Sequence, residues 1–420
     1  MIQNKSQLGG RKTKHALQIL EAGLEAAKPD RFLATYLKRD KITGPKDIPL
    51  SGFGRVYVVA VGKAAYSMAN YVRHKIHVDG GVIVVPQTHK VERSGKKFKI
   101  IRSSHPIPSK KSIIAAKSLI RFLQNADKDD LVIFLISGGA SSLVCLPCGV
   151  TLKQKQILTQ QLLDCGATIR EINALRKHVS AVKGGRLLEN LCCKAVSFVM
   201  SDVVGDDLST IASGLTYCDT TTYADCLRII KKYGLTNKIP KPVLGHFQRG
   251  AQGKIPETPK KPKIPNYIVA SNNDCLEAMA KKAKSLGYKT KKLSALNGDI
   301  RMVAGKILKE LPKQGHCLLF GGEPTVRVKG GGTGGRNQEL VLHLMKKLGP
   351  EFVAASVGTD GIDGNTKYAG AIFYGGIQRN EIERYLQNND SNSFFKKYGG
   401  LIKTGPTHTN LMDIGLVIRL

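Results

Sequence analysis

Tryptophan is absent from this chain, and aromatic residues make up only 6% of its 420 positions. Single-stranded nucleic acid is usually gripped by stacking on such rings, so that class of partner is not favoured. Acidic residues are also scarce: 32 Asp and Glu face 65 Lys and Arg, a formal charge of +33. Such an excess raises the question of nucleic acid. The cations, however, are spread from end to end in small clusters such as Lys110-Lys111, Lys260-Lys261 and Lys281 to Lys284, with no long basic arm. A lysine-rich solvated surface that attracts anionic metabolites is the better reading, and no specific nucleic-acid partner is expected. Long apolar runs are missing as well. Leu131 to Ile136 is far too short to span a bilayer, and Met1 to Lys14 holds no apolar signal core. The nine cysteines are odd in number and scattered, and Cys145-Leu146-Pro147-Cys148 has no second pair at zinc spacing. A cytoplasmic protein with free thiols and no membrane partner is expected.

What the chain does have is alternation. Short runs rich in Val and Ile, such as Val56 to Val61, Gly81 to Val85, Leu131 to Ile136, Ala195 to Ser201, Cys317 to Phe320 and Phe352 to Val357, alternate with segments of helical period. That pattern predicts α/β architecture with mainly parallel sheets. The length calls for two domains. Prolines 240, 242, 256, 259, 262 and 265 mark residues 238–265 as a linker or excursion, giving an N-terminal α/β domain over 1–237 and a C-terminal one over 266–420.

Several strand-to-helix turns carry chemistry. Gly330, Gly332 and Gly335 form a G-x-G-x-x-G and run directly into Arg336 and Asn337. Glycines let a backbone approach a phosphate, and a cation in a first helical turn opposes the macrodipole unless an anion lies beside it. Lys63 follows the strand Val56 to Val61 in the same sense. The small-residue turn Ser137-Gly138-Gly139-Ala140-Ser141-Ser142 could bind phosphate or carboxylate oxygens, or could simply pack tightly. Asp202 closes another strand and suits a magnesium ligand or a base, whereas Asp207 serves equally as a helix cap. Asp360 and Asp363 read as metal or ribose ligands, or as turn residues. Asn173, Arg176, Ser180 and Lys183 share one helical stripe. His105 and His408 stand isolated, with no catalytic role assigned.

Taken in order, GKAA, SHPIP, ISGGASSL, REINALRKHVSAVKGGRL, SDVVGDDLSTIASG, GGEPTVRVKGGGTGGRNQE, GTDGIDG and TGPTHTN resemble the type-2 glycerate kinase family, the last part resembling its MOFRL domain. The likeness runs from about residue 12 to the end. It implies two Rossmann-like domains with a cleft between them, and transfer of phosphate from ATP, with Mg²⁺ or another divalent cation, to D-glycerate, giving 2-phosphoglycerate. Carried over by motif, Lys63, Arg336 and Asp202 would be catalytic. Ser137, Gly138 and Gly139 would form a nucleotide or phosphate loop, with Asp202 near the metal or the hydroxyl. To these the reading of the residues themselves adds Gly332 and Gly335 for ATP or phosphate, Arg176, Lys183 and Asn337 for the substrate, and Asp207 beside Asp202 for the metal. Leu215, Asn365, Lys367 and His408 depart from the family pattern, so substrate identity is less firmly implied than reaction class. A rival expectation is an NAD(P)H-dependent hydroxypyruvate reductase, resting on the three glycines and on Asp360.

Overall fold

A computed structural model describes residues 1–44, 46–89, 97–375 and 377–420. The chain divides into two compact units, one of Leu33–Val269 and one joining Met1–Phe32 to Ala270–Leu420.

Within Leu33–Val269, a small hairpin of β1 (Lys41–Ile42) and β2 (Ile48–Pro49) is separate from the main sheet. That sheet contains β3 (Val56–Val61), β4 (Gly80–Pro86), β5 (Phe98–Ser103), β6 (Leu131–Ile136), β7 (Lys194–Met200) and β8 (Asn266–Ala270), in spatial order β5-β4-β3-β6-β7-β8. All pairings from β5 across to β7 are parallel. Counted by chain order within the sheet this is 3-2-1-4-5-6, the doubly wound order, whose reversal point lies between β3 and β6. The residue types explain the arrangement. The sequences VYVVAV and LVIFLI carry no charge, and every residue of β6 is buried, as a strand covered on both faces requires. Helices are started by local caps: Thr168 accepts from Glu171 N while Glu171 returns a bond to Thr168 N, opening the helix Ile169–His178.

The proline-rich stretch is not a linker. Pro240 is the N-cap of a helix, Lys241–Ala251, and Pro242 sits in its first turn, where proline's fixed φ and missing N–H favour initiation. Its Val243 and Phe247 are buried in a core with Tyr223 and Ile230. The following residues are pinned: Glu257 accepts from Tyr223 N at 2.9 Å and meets His178 Nε2 at 3.0 Å, Thr258 Oγ1 donates to Asp219 at 3.1 Å, and Asp219 N donates to Pro259 O at 2.9 Å.

The other unit is built on β9 (Lys289–Asp299), β10 (His316–Thr325), β11 (Phe352–Gly358), β12 (Gly370–Phe373), β13 (Leu401–Ile402) and β14 (Asp413–Arg419), ordered β13-β12-β11-β14-β10-β9. Only β9 and β10 pair in parallel; the other four pairings are antiparallel. The expectation of parallel layering therefore holds for the first sheet, whereas this one is mixed, because the last strand of the chain inserts between β10 and β11 and runs against both. The helix Lys14–Ala26 also belongs here. Its Leu17, Ile19, Leu20 and Leu24 are buried, and a Cβ on Gly23 would lie 2.8 Å from Ile414 Cδ1 and Met279 Cγ. The expected N-terminal domain of 1–237 thus loses its first helix to the C-terminal sheet.

Candidate active site

At the reversal point of the first sheet, β3 and β6 end side by side. Lys63 N donates to Gly138 O at 2.9 Å and Ala64 N to Ser137 Oγ at 3.0 Å, so the two turns are bonded to each other. Gly62 has φ +134, and a Cβ there would stand 2.1 Å from Ser137 Oγ, so only glycine permits this approach. Beyond it, the backbone N–H groups of Gly138, Gly139, Ala140 and Ser141 have no acceptor among the described residues. His105, which follows β5, joins the same place: a Cβ on Gly139 would meet His105 Cδ2 at 2.9 Å and Lys63 Cγ at 3.5 Å. Burial, assisted by the Lys63 charge, lowers the His105 pKa. Asp202 follows β7, one strand beyond β6, so its strand end lies about 10 Å from that of Lys63 by strand spacing. The structure therefore brings Lys63, Ser137, Gly138 and Gly139 together, and adds a histidine to which the sequence reading gave no role. Its position just past a strand end was the signal available.

The helix Ile169–His178 lines this region. Asn173 accepts from Ser213 Oγ at 3.1 Å, and Ser213 Oγ is 3.0 Å from Ser141 Oγ. Ala212, Ser213 and Gly214 have φ values of 53, 55 and 64, a run of left-handed backbone that costs about 1–3 kcal/mol at each non-glycine position. Lys183 helps hold it. Its ammonium, buried, donates to Ala212 O at 3.1 Å and Ala140 O at 3.3 Å, and burial drives its pKa well below the lysine range. The sequence reading gave Lys183 to substrate; the structure commits it to two backbone carbonyls. Asp207 is likewise committed, accepting from Ser209 N at 2.9 Å, Ser209 Oγ at 3.0 Å and Thr210 Oγ1 at 2.9 Å. It is the local cap that the sequence allowed, and its expected metal role loses support. Among the described residues no group of three His, Cys, Asp or Glu side chains is arranged to hold a metal.

In the other unit the glycine loop proves to be filled from within. The N–H groups of Lys329 and Gly330 go to Asn389 Oδ1, those of Gly331 and Gly332 to Asn388, that of Thr333 to Asp390 and that of Gly334 to Asn365. A Cβ on Gly332 would stand 2.4 Å from Asp390 Cβ, and one on Gly335 2.3 Å from Asp363. These glycines allow close packing of protein on protein, which corrects the expectation that Gly332 and Gly335 cradle a phosphate. The helix Arg336–Met345 is capped the same way: Asp363 accepts from Asn337 N at 3.0 Å and Gln338 N at 2.9 Å. Asn337 is buried, bonded to Asp363 and to Ser356 Oγ at 2.6 Å, so it is structural and not available to substrate. Arg336 is gripped on three nitrogens, with Nε 2.5 Å and Nη2 3.1 Å from the two oxygens of Asp413 and Nη1 3.0 Å from Glu323. Burial pushes the Asp413 carboxyl up to about 7, with Arg336 pulling the other way. Asp413, missed in the sequence because it opens an apolar strand, is the anion that Arg336 required.

The departures from the family pattern have local readings. Asn365 supports the glycine loop through its bond from Gly334 N. His408 has φ +56, a conformation in which glycine is the residue of least strain.

Comparison with known proteins places the chain in a family. Residues 15–248 match a domain of unknown function, DUF4147, and residues 316–413 match the MOFRL family. The chain is 38% identical to the glycerate 2-kinase of Pyrococcus horikoshii, over 96% of each protein. It is 36% identical to the D-glycerate 2-kinase of Thermotoga maritima, over 96% of this chain and 98% of that one. A crystal structure of the Thermotoga maritima glycerate kinase superposes with a TM-score of 0.83 at 34% identity, covering 97% of this chain and 99% of that one. A protein of Agrobacterium vitis named putative hydroxypyruvate reductase is 39% identical over 90% of each chain. With both domain models matched in order and kinases aligned over nearly the whole length, the chain belongs to the type-2 glycerate kinase family.

Proposed function

We propose that this protein transfers the γ-phosphoryl group of ATP, supplied as its magnesium complex, to D-glycerate, giving 2-phosphoglycerate and ADP. The observation that carries the reading is the turn pair at the end of β3 and β6, where Lys63 stands beside four backbone N–H groups, from Gly138 to Ser141, that have no acceptor among the described residues. Such donors suit phosphate oxygens, and phosphoryl transfer asks mainly for positioning and charge neutralisation. Lys63, Ser137, Gly138 and Gly139 hold the phosphates in this reading. The glycerate hydroxyl oxygen forms a bond to the γ-phosphorus as the bond to the bridging oxygen of ADP breaks, and Asp202 takes the hydroxyl proton. Arg336, oriented by Asp413, keeps in this reading the catalytic role that the family motif implies for it. Magnesium enters bound to the nucleotide, where phosphates and water provide most ligands. The names of the Pyrococcus and Thermotoga relatives support the substrate. The cytoplasm as the place of work is part of the same proposal, supported by nine cysteines that all stand free.

The reductase reading fits poorly, because the amides a dinucleotide fingerprint would offer to pyrophosphate are bonded to Asn365, Asn388, Asn389 and Asp390. A coupled assay with ATP, Mg²⁺ and D-glycerate, with the product isomer identified, tests the proposal. ADP release is expected, and Lys63→Ala should lower kcat by orders of magnitude while the fold persists. No ADP release from folded protein, or steady NADH oxidation with hydroxypyruvate, overturns it.

A further inference from the structure

Four cations cluster around the C-terminal half of the helix Ile169–His178, and three of them have an evident structural use. Lys177 is paired with Asp219 at 3.2 Å. Lys155, buried, donates to the carbonyls of Arg176 at 2.9 Å and Val179 at 3.0 Å, closing the end of the helix as a lysine can. Lys183 is bonded to Ala140 O and Ala212 O. Arg176 differs: its guanidinium is half-buried, and no carboxylate pairs with it among the described residues. The two lysines can relieve burial by losing a proton, and burial brings Lys155 to about 8. A guanidinium cannot do so, and a partly desolvated charge without a counter-ion is unfavourable. Such an arrangement is retained where an anion arrives to complete it.

The direction is set by its neighbours. Arg176 is one turn beyond Asn173, whose carbonyl joins Ser213 and Ser141, and it lies within electrostatic reach of Cys145, Lys155 and Lys183. This places it near the turn that carries the four open N–H groups. We infer that Arg176 is the receptor for the carboxylate of the acid substrate, its planar fork gripping both oxygens while the turn and Lys63 hold the phosphates. The assignment rests on the kinase reading above. Lys155 and Lys183 then act as positioning residues that fix the helix end and the left-handed turn.

Calorimetry on the full-length protein tests this with D-glycerate, glycerol and inorganic phosphate, each without nucleotide. Wild type should bind D-glycerate and not glycerol, which lacks the carboxylate. Arg176→Met should weaken D-glycerate about ten- to hundredfold, the loss expected of a charge-assisted pair, with a melting temperature no lower than that of wild type, because an unpaired and partly buried charge is removed. Arg176→Lys, which keeps the charge but not the fork, should fall between, so a folding defect in one variant does not decide the matter. Near pH 8, binding should also draw in protons, because an anion facing Lys155, whose other charged or titratable neighbours include Cys145, Cys148, Arg176 and Lys183, raises its pKa; the heat then depends on the buffer's ionisation enthalpy. If both folded variants bind and phosphorylate D-glycerate with wild-type affinity and KM, this assignment is wrong and the kinase reading stands. If the substitutions weaken inorganic phosphate alone, Arg176 serves a phosphate and the carboxylate assignment is overturned. If wild type neither binds nor phosphorylates D-glycerate, both fall together.

Discussion

Arg336 and Lys63 each place a cation just before or within the first turn of a helix, where the macrodipole opposes it. For Arg336 the counter-charge is internal: Asp413 takes both forked nitrogens and Glu323 a third. The orientation of Arg336 therefore depends on the charge of a buried carboxyl whose pKa is raised to about 7, burial being the cause and Arg336 opposing it. The sign for stability follows directly. Between about 4 and 7 the folded chain holds more proton on Asp413 than the unfolded chain does, so this group's contribution is greatest at low pH and is lost as pH rises through 7. On the proposed catalytic role of Arg336, activity runs the other way, since the ionised form grips Arg336 most firmly. In the wild type kcat/KM should rise with pH through about 7. In Asp413→Asn that limb should disappear and kcat should drop about ten- to hundredfold, the loss expected when a charge-assisted pair is removed from a working arginine. A pH–rate profile of both proteins checks it, and an unchanged acid limb in Asp413→Asn would assign that limb to another group.

Strands and turns were the most legible elements. Val56 to Val61 and Leu131 to Ile136 stand as read, because a buried parallel strand leaves an uninterrupted apolar run. Gly370–Phe373 was not foreseen, since four apolar residues without flanking alternation carry no period. The glycine motif of Gly330, Gly332 and Gly335 misled for a physical reason: glycine permits close approach by any group, and sequence does not say whether that group is a phosphate or the segment Asn388 to Asp390. The meeting of Lys63 with the serine-glycine turn was legible because both follow buried strands, and a doubly wound sheet sets such strand ends side by side. Two glycines make the distinction measurable. Gly62→Ala adds a methyl 2.1 Å from Ser137 Oγ at φ +134, and should destabilise the protein by about 2–4 kcal/mol while separating the turns that end β3 and β6. Gly305→Ala, inside the helix Ile300–Lys309 with nothing within 4 Å of the new methyl, should stabilise by about 0.5–1 kcal/mol. Urea midpoints of the two variants against wild type give both signs. Equal shifts would mean that crowding at Gly62 is relieved by movement of Ser137.

At the scale of the whole chain, the division of the molecule is discontinuous, and sequence reading missed this because an amphipathic first helix does not declare which sheet it covers. Residues 1–32 join 270–420 through several links: Leu17, Ile19, Leu20 and Leu24 are buried, Gln3 N donates to Lys403 O at 2.8 Å, and Thr409 Oγ1 donates to Ala27 O at 2.7 Å. The chain thus leaves this unit after Phe32, builds the doubly wound sheet, and returns at Ala270. A fragment of 270–420 alone would expose the surface that Leu17, Leu20 and Leu24 cover, including Met279 and Ile414 beneath Gly23. It should express poorly and melt without a cooperative transition. Reordering the same residues as 270–420, a flexible Gly/Ser linker and then 1–32 restores the missing helix without adding any other contact. That permuted unit should be soluble and unfold in one cooperative step by circular dichroism. If 270–420 folds as well without the helix as with it, the N-terminal segment is an accessory to this unit and not part of its core, and the boundary belongs nearer to where the proline-rich sequence first suggested it.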